Sequence, residues 1–254
     1  MIIRKIVLIA GVSLAFVRPA LALNYHELEV YPYRTAQKGE LELEYGGVYT
    51  DRGTRDADSS DNNENRLRNS LELTYGLTDK TEITAYADYD RLPGGGGEFE
   101  GKRFHMRTRF FEKGELPVDL GAYVELELPK HDEDIQELEF RGIVEKDFGK
   151  WTFDFNPILE KVVRGESVSE GWEFKYAAAA IYRLNETFHP RLEFFGDLGP
   201  IQHRDPTDEQ QHLVSPGVDI RLGHGFNLFA GVAFGLTDAS EQRLYRLRIE
   251  REFY

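Results

Sequence analysis

The sequence contains no cysteine, which excludes disulfides, thiolate metal sites and cysteine nucleophiles. It also lacks any apolar run near the ~20 residues that a helix needs to cross a bilayer. The longest such stretch, Ile6 to Val17, is interrupted by Ser13 and is too short. Basic charge is scarce: 31 Lys and Arg stand against 45 Asp and Glu, a net of −14 over 254 residues. Such acidity excludes a nucleic-acid partner. There is no G-x-S-x-G nucleophile elbow and no D-x-D-x-D-G calcium loop. Gly94 to Gly97 follows no strand-to-helix pattern, so it reads as a loop tip and not as a phosphate cradle. The expectation is therefore no catalytic residue, no cofactor and no metal.

Two segments precede the regular part of the chain. Met1 to Ala22 carries Arg4 and Lys5, then the short apolar run, then Ala20-Leu21-Ala22. That is the form of a secretory signal peptide, with Leu23 as the first mature residue. Leu23 to Lys38, with Tyr31-Pro32-Tyr33, shows no alternation. It reads as an N-terminal arm, periplasmic or plug-like, ahead of a domain spanning 39–254.

From Gly39 the chain alternates apolar and polar residues. In Asn69 to Asp90, Leu71, Leu73 and Tyr75 face one way against Ser70, Glu72 and Thr74, and a polar turn over Gly76 to Lys80 reverses the chain. Ile83, Ala85, Ala87 and Tyr89 then face away from Glu82, Thr84, Asp88 and Asp90. Period two marks a strand with one apolar face, and two such strands joined by a turn make a hairpin. Twelve strands are expected, over residues 41–50, 65–75, 81–91, 102–112, 118–129, 136–148, 151–163, 172–184, 191–198, 212–222, 226–236 and 242–253.

The connections are expected to alternate long and short, the long ones beginning with Asp51 to Glu64 and Leu92 to Gly101. Short periplasmic turns, long outside loops and tilted strands of ~9–11 residues are the plan of an outer-membrane barrel. Closure follows because lipid offers an open sheet edge no hydrogen-bond partner. Tyr75, Phe148, Trp151, Tyr182, Phe226 and Phe253 gather at one end, and Tyr49, Tyr89, Phe104 and Trp172 at the other, as aromatic girdles would. The fold expected is all-β: a single antiparallel transmembrane β-barrel in the cell outer membrane, in contact with its lipids.

The turn Tyr75 to Ile83, the opening Lys38-Gly39-Glu40-Leu41-Glu42-Leu43-Glu44 and the final aromatic resemble the outer-membrane transporter-like family described as "MetA-pathway of phenol degradation". The resemblance covers most of the mature chain and implies uptake of small, aromatic compounds. Outer-membrane barrels usually end on Phe, which the barrel-assembly machinery reads; here Phe253 fits the outward register and Tyr254 follows it, and either residue serves as the signal.

Inside the barrel the alternation places an inward network of Arg103, His105, Arg107, Arg109, Asp88, Asp90, Glu125, Glu127, Glu137 and Glu139. Pairing across the 113–116 turn sets Arg103 beside Glu127, His105 beside Glu125 and Arg107 beside Tyr123; the preceding pair sets Arg103 beside Asp90. Such a lining either selects small solutes by charge or simply braces the interior, and twelve strands lie between a filled barrel and an open pore. Acidic Asp132, Glu133 and Asp134 read as a solvated rim. His203, Asp205, Asp208 and His212 form the one compact His/Asp group, and a lipid-acting barrel hydrolase would need His212 beside a nucleophile. Ser215 has the wrong parity for that face, so the chain is read as a non-enzyme.

Overall fold

The structure, a computed structural model, describes residues 23–55, 63–131, 135–165 and 168–253. The signal-peptide reading, the acidic rim at 132–134 and Tyr254 lie outside the described residues.

Twelve strands form: β1 (Leu41–Arg52), β2 (Leu67–Thr78), β3 (Thr81–Arg91), β4 (Gly97–Arg109), β5 (Asp119–Pro129), β6 (Gln136–Phe148), β7 (Trp151–Arg164), β8 (Glu173–Tyr182), β9 (Phe188–Pro200), β10 (Gln211–Gly223), β11 (Phe226–Gly235) and β12 (Arg243–Phe253). Each pairs antiparallel with its sequence neighbours, and β1 pairs with β12, so the sheet closes without an edge. Among the described residues the only helical pieces are two short 3-10 turns, Tyr25–Glu27 and Val168–Glu170.

The two faces separate as the period demands. Leu41, Leu43, Leu71, Leu73, Phe140, Phe153, Phe194 and Ile249 point outward and are each more than a third exposed. Their inward neighbours are largely charged and yet buried, among them Arg68, Asp90, Arg103 and Glu193. A face of this kind is stable in hydrocarbon and not in water. The dyad period inverts a globular protein: apolar atoms meet the solvent, which is lipid, and polar atoms fill the interior.

Two expectations fail at the sheet ends. Strand β4 begins at Gly97, five residues before the expected start, so the outer connection after β3 shrinks to 92–96. The turn after β4 covers 110–118 and is longer than that outer loop, so the alternation of long and short is not strict. The same upward extension of β4 brings Phe104 from the girdle to mid-strand, opposite Ala85 and Leu126.

Residues of the arm, among them Leu23, Leu28, Val30, Tyr31 and Tyr33, are buried against the inner wall of the barrel. Ahead of β1 the chain reverses at Gly39 (φ +84°) and enters the lumen. Gly39 and Gly76 are bonded through the Gly39 N–H and the Gly76 carbonyl, and the Gly76 N–H donates to Glu40. A Cβ on Gly76 would stand 1.8 Å from the Gln37 carbonyl oxygen, so only glycine lets the chain turn in over β2. The arm then runs to the far end, where the Leu23 N–H donates to Gln211 at 3.0 Å.

Candidate functional site

The site is the lumen and the segment that threads it. On the side lined by β2 to β6, Arg103 is 1% exposed and stands at the centre. Its Nε donates to Asp88 at 2.8 Å, and its Nη1 lies 2.5 Å from Glu27 and 3.5 Å from Glu125. Arg141 joins the same group through Glu139 at 2.8 Å and Glu27 at 3.4 Å. Arg107 donates to Glu82 at 2.6 Å. His105 sits between Tyr31, Tyr86 and Tyr123, its Nδ1 3.1 Å from the Tyr86 hydroxyl. Buried charge is tolerable only when paired and hydrogen-bonded, and here nearly every cation has an acid from a neighbouring strand or from the arm.

The arm supplies what the wall lacks. The Tyr31 N–H donates to Asn156 Oδ1 at 2.8 Å, and Asn156 Nδ2 donates back to the Tyr31 carbonyl at 3.1 Å. The Tyr31 and Tyr86 hydroxyls meet at 2.8 Å. The Tyr33 N–H donates to Glu145 at 2.9 Å and the Ala36 N–H to Glu82 at 2.5 Å. His26 contacts Asp90 at 2.6 Å. Acids of the barrel wall thus accept from an irregular backbone, which would otherwise be buried without partners. At the end where β1 begins and β12 ends, which the plan of outer-membrane barrels makes the periplasmic one, Arg34 reaches Glu40, Glu42 and Glu252 at 2.9, 3.1 and 3.2 Å.

On the opposite side, the arm's Leu23, Tyr25, Leu28 and Val30 pack against Val48, Ile158, Ala177, Ala179, Phe195, Leu213, Ala233 and Leu244. These wall residues come from β1 and from β7 to β12, so the apolar cluster fills that side of the lumen. Towards the periplasmic turns it gives way to a cavity of about 970 Å³, which reaches Gly223 and Gly225 and is walled partly by Glu29, Val30 and Arg34 of the arm.

The register confirms three of the cross-strand pairs: Arg103 with Glu127, His105 with Glu125 and Arg107 with Tyr123. The pairing of Arg103 with Asp90 is wrong. A register shift between Asp88 and Tyr89 and the earlier start of β4 put Arg103 opposite Tyr86, within reach of Asp88. Asp90 is instead taken by His26 and Arg66. Arg109 leaves the network, donating to the Asp79 carbonyl at 2.7 Å and to Glu112 at 2.9 Å in the periplasmic turns. Glu127 accepts from Asn24 at 3.1 Å, and Glu137 lies opposite it on β6. Glu27, Glu82, Asn156 and Glu193 were not anticipated; the parity of their strands signals the last three, while Glu27 lies in the arm and has no periodic signal.

Among the described residues, carboxylate groups tight enough for a metal occur at Glu29, Glu44 and Glu72 and at Glu40, Glu42 and Glu252, not at His203 to His212. The second group already holds the Arg34 guanidinium, and in the first Glu29 pairs with Arg248. His212 faces outward beside Tyr176, its Nδ1 3.1 Å from the hydroxyl. Ser215 is fully buried inside and accepts from Arg246 at 2.7 Å, so it is no partner for His212.

No protein-family model and no curated protein matches the sequence. Solved structures do match in fold. The COG4313 outer membrane channel from Pseudomonas putida F1 superposes with a TM-score of 0.62 at 15% identity, over 89% of this chain and 100% of that one. A KdgM porin gives 0.58 at 8% identity, over 84% and 99%. The same porin in complex with disordered oligogalacturonate gives 0.55. The chain therefore has the fold of the outer-membrane β-barrel channels. At these identities the likeness speaks for architecture alone, and the narrower resemblance to the phenol-degradation family has no matching family model behind it.

Proposed function

We propose that this chain is an outer-membrane channel for small solutes, with residues 23–38 as its internal plug. The observation that carries the reading is the lumen itself: a charged interior with a cavity of about 970 Å³ beside an irregular segment. A purely structural barrel has no need of a cavity that size. The exposed apolar belt supports an outer-membrane location and lipid partners. Phe253, exposed at the last outward position of β12, supports a role as the assembly signal. Uptake of aromatic compounds in particular rests on the resemblance alone.

The test is single-channel conductance in a planar bilayer, comparing refolded 23–254 with a chain beginning at Gly39. The intact chain is expected to give rare or small ionic steps, and the shortened chain steps several-fold larger. Two silent proteins, both folded and inserted, would sink the channel reading.

A further inference from the structure

The cavity contains one acid that the protein leaves unanswered. Asp154 is 4% exposed, lines the cavity, and neither of its carboxylate oxygens has a hydrogen-bond partner in the protein. Its cross-strand neighbour is Glu145, a second acid. The nearby cations are already committed. Lys113 bonds Glu145 at 2.5 Å and Asp147 at 3.0 Å, and Arg183 bonds Asp147 at 2.7 Å. Glu145 also accepts the Tyr33 N–H. A buried carboxyl with no donor and an acid beside it either takes up a proton or is met by a cationic group from outside the chain.

The same cavity holds the complementary vacancy in hydrogen bonding. Arg191 is 9% exposed and also lines it. Its Nη1 contacts Asp219 at 3.1 Å. Its Nε and Nη2 make no hydrogen bond, although Nη2 lies 2.8 Å from Glu193. Glu193 itself is engaged by Arg246 at 2.5 Å. Nη1 and Nη2 thus each face an acid, while Nε is left as an unused guanidinium N–H that can donate to a carboxylate entering the cavity. On the sheet, Asp154 pairs with Ala179 and Arg191 pairs with Ile181, so a small and an apolar side chain of β8 lie between the two charged groups.

We infer that this cavity is a binding site for a small zwitterion, with Asp154 receiving the ammonium or guanidinium end and Arg191 the carboxylate end. Ile181 supplies an apolar floor for the spacer between them. A lone metal ion fits the arrangement less well, because Asp154 belongs to no group of three ligating side chains among the described residues. The inference deepens the channel reading and rests on it for its meaning, since it names the class of solute the periplasmic half of the lumen would hold.

The test is calorimetric titration of the refolded chain in detergent with 6-aminohexanoate, with butylamine, hexanoate and calcium chloride as separate probes. Folding of each variant is checked by heat-modifiable migration. Saturable binding of 6-aminohexanoate is expected, weakened at least tenfold in Asp154→Asn, kept within a few-fold in Asp154→Glu, and weakened several-fold in Arg191→Gln. No saturable binding to the folded wild type, or unchanged binding in Asp154→Asn, overturns the proposal. So does butylamine binding as tightly as the zwitterion, or calcium displacing it at Asp154. Because binding is read in detergent, a silent barrel that binds the probe fails only the channel reading, and a conducting barrel that does not bind it fails only this one.

Discussion

The two sides of the lumen are written in the same period-two code and end in opposite states. From β2 to β6 the inward positions carry long side chains, Arg103, Arg107, Tyr123 and Arg141, and these meet the arm in a closed network. From β8 to β11 the inward positions include Ala177, Ala179, Gly217 and Ala233, and the wall is shallow. A Cβ on Gly217 would stand 2.6 Å from the ring of Phe229, so that ring packs directly against glycine. Alternation decides which side of the sheet a residue faces. Side-chain volume decides what must fill the interior: here the arm's Leu23, Tyr25, Leu28 and Val30 take the space over the alanines, and the cavity lies beyond them toward the turn end, beside Ile181, Arg191 and Phe229.

The sharpest way to break this comparison is to remove a charge from each side. Arg103→Ala leaves Glu27, Asp88 and Glu125 buried without their cation, and urea unfolding in lipid vesicles is expected to show a loss of about 3–5 kcal/mol. Asp154→Asn removes a carboxyl that makes no hydrogen bond in the protein, and the same measurement is expected to show a change of less than about 1 kcal/mol. Equal losses at both positions would show that the two sides are not different in kind.

A third substitution tests the lipid face against both. Leu71→Arg, on the exposed apolar belt, is expected to cost about 2–4 kcal/mol if the position lies near the bilayer midplane. Smaller again is Tyr31→Phe, which removes one hydroxyl contact between arm and wall; about 0.5–1.5 kcal/mol should be lost. Smallest is Lys113→Met in the periplasmic turn. Burial strips some water from the Lys113 ammonium, but its bonds to Glu145 and Asp147 outweigh that and hold its pKa above the usual lysine range. Its contribution is therefore fully present below the ordinary value of 10.5 and lost as pH rises through the raised one. Being half exposed, it amounts to at most about 1 kcal/mol, read as a difference in alkaline unfolding midpoints between wild type and variant.

What the sequence made legible follows from what period two encodes. It placed all twelve strands, their lipid-facing residues and the β4–β5 register, because each depends only on parity and a short connection. It misplaced Asp90 because β4 starts at Gly97, which shortens the outer connection to 92–96 and slides Arg103 along β3 to Tyr86, with a one-residue shift at Asp88 and Tyr89 setting the final register. For Arg109 parity assigns a face but not a depth: at the strand end it lines the cavity while its guanidinium donates to the Asp79 carbonyl and not to the Arg103 network. The arm was readable only as irregular. Its path is set by scattered acceptors, Asn156, Glu82 and Glu145, whose common purpose appears only when the barrel closes. The small wall residues Ala177 and Ala179, which leave room for the arm's Leu23, Tyr25, Leu28 and Val30, were present as composition but had no meaning until the arm was placed over β8.

The absence of cysteine makes the central claim, that the chain's own residues 23–38 fill its lumen, directly measurable. Val30 is 2% exposed inside the barrel, and Lys38 lies on the exposed periplasmic turn. Single cysteines at the two positions, in separate refolded proteins, would be reacted with a maleimide reagent before and after unfolding. The account predicts rapid labelling of Lys38→Cys at once and of Val30→Cys only after unfolding. Equal, rapid labelling of both in the folded barrel would contradict it.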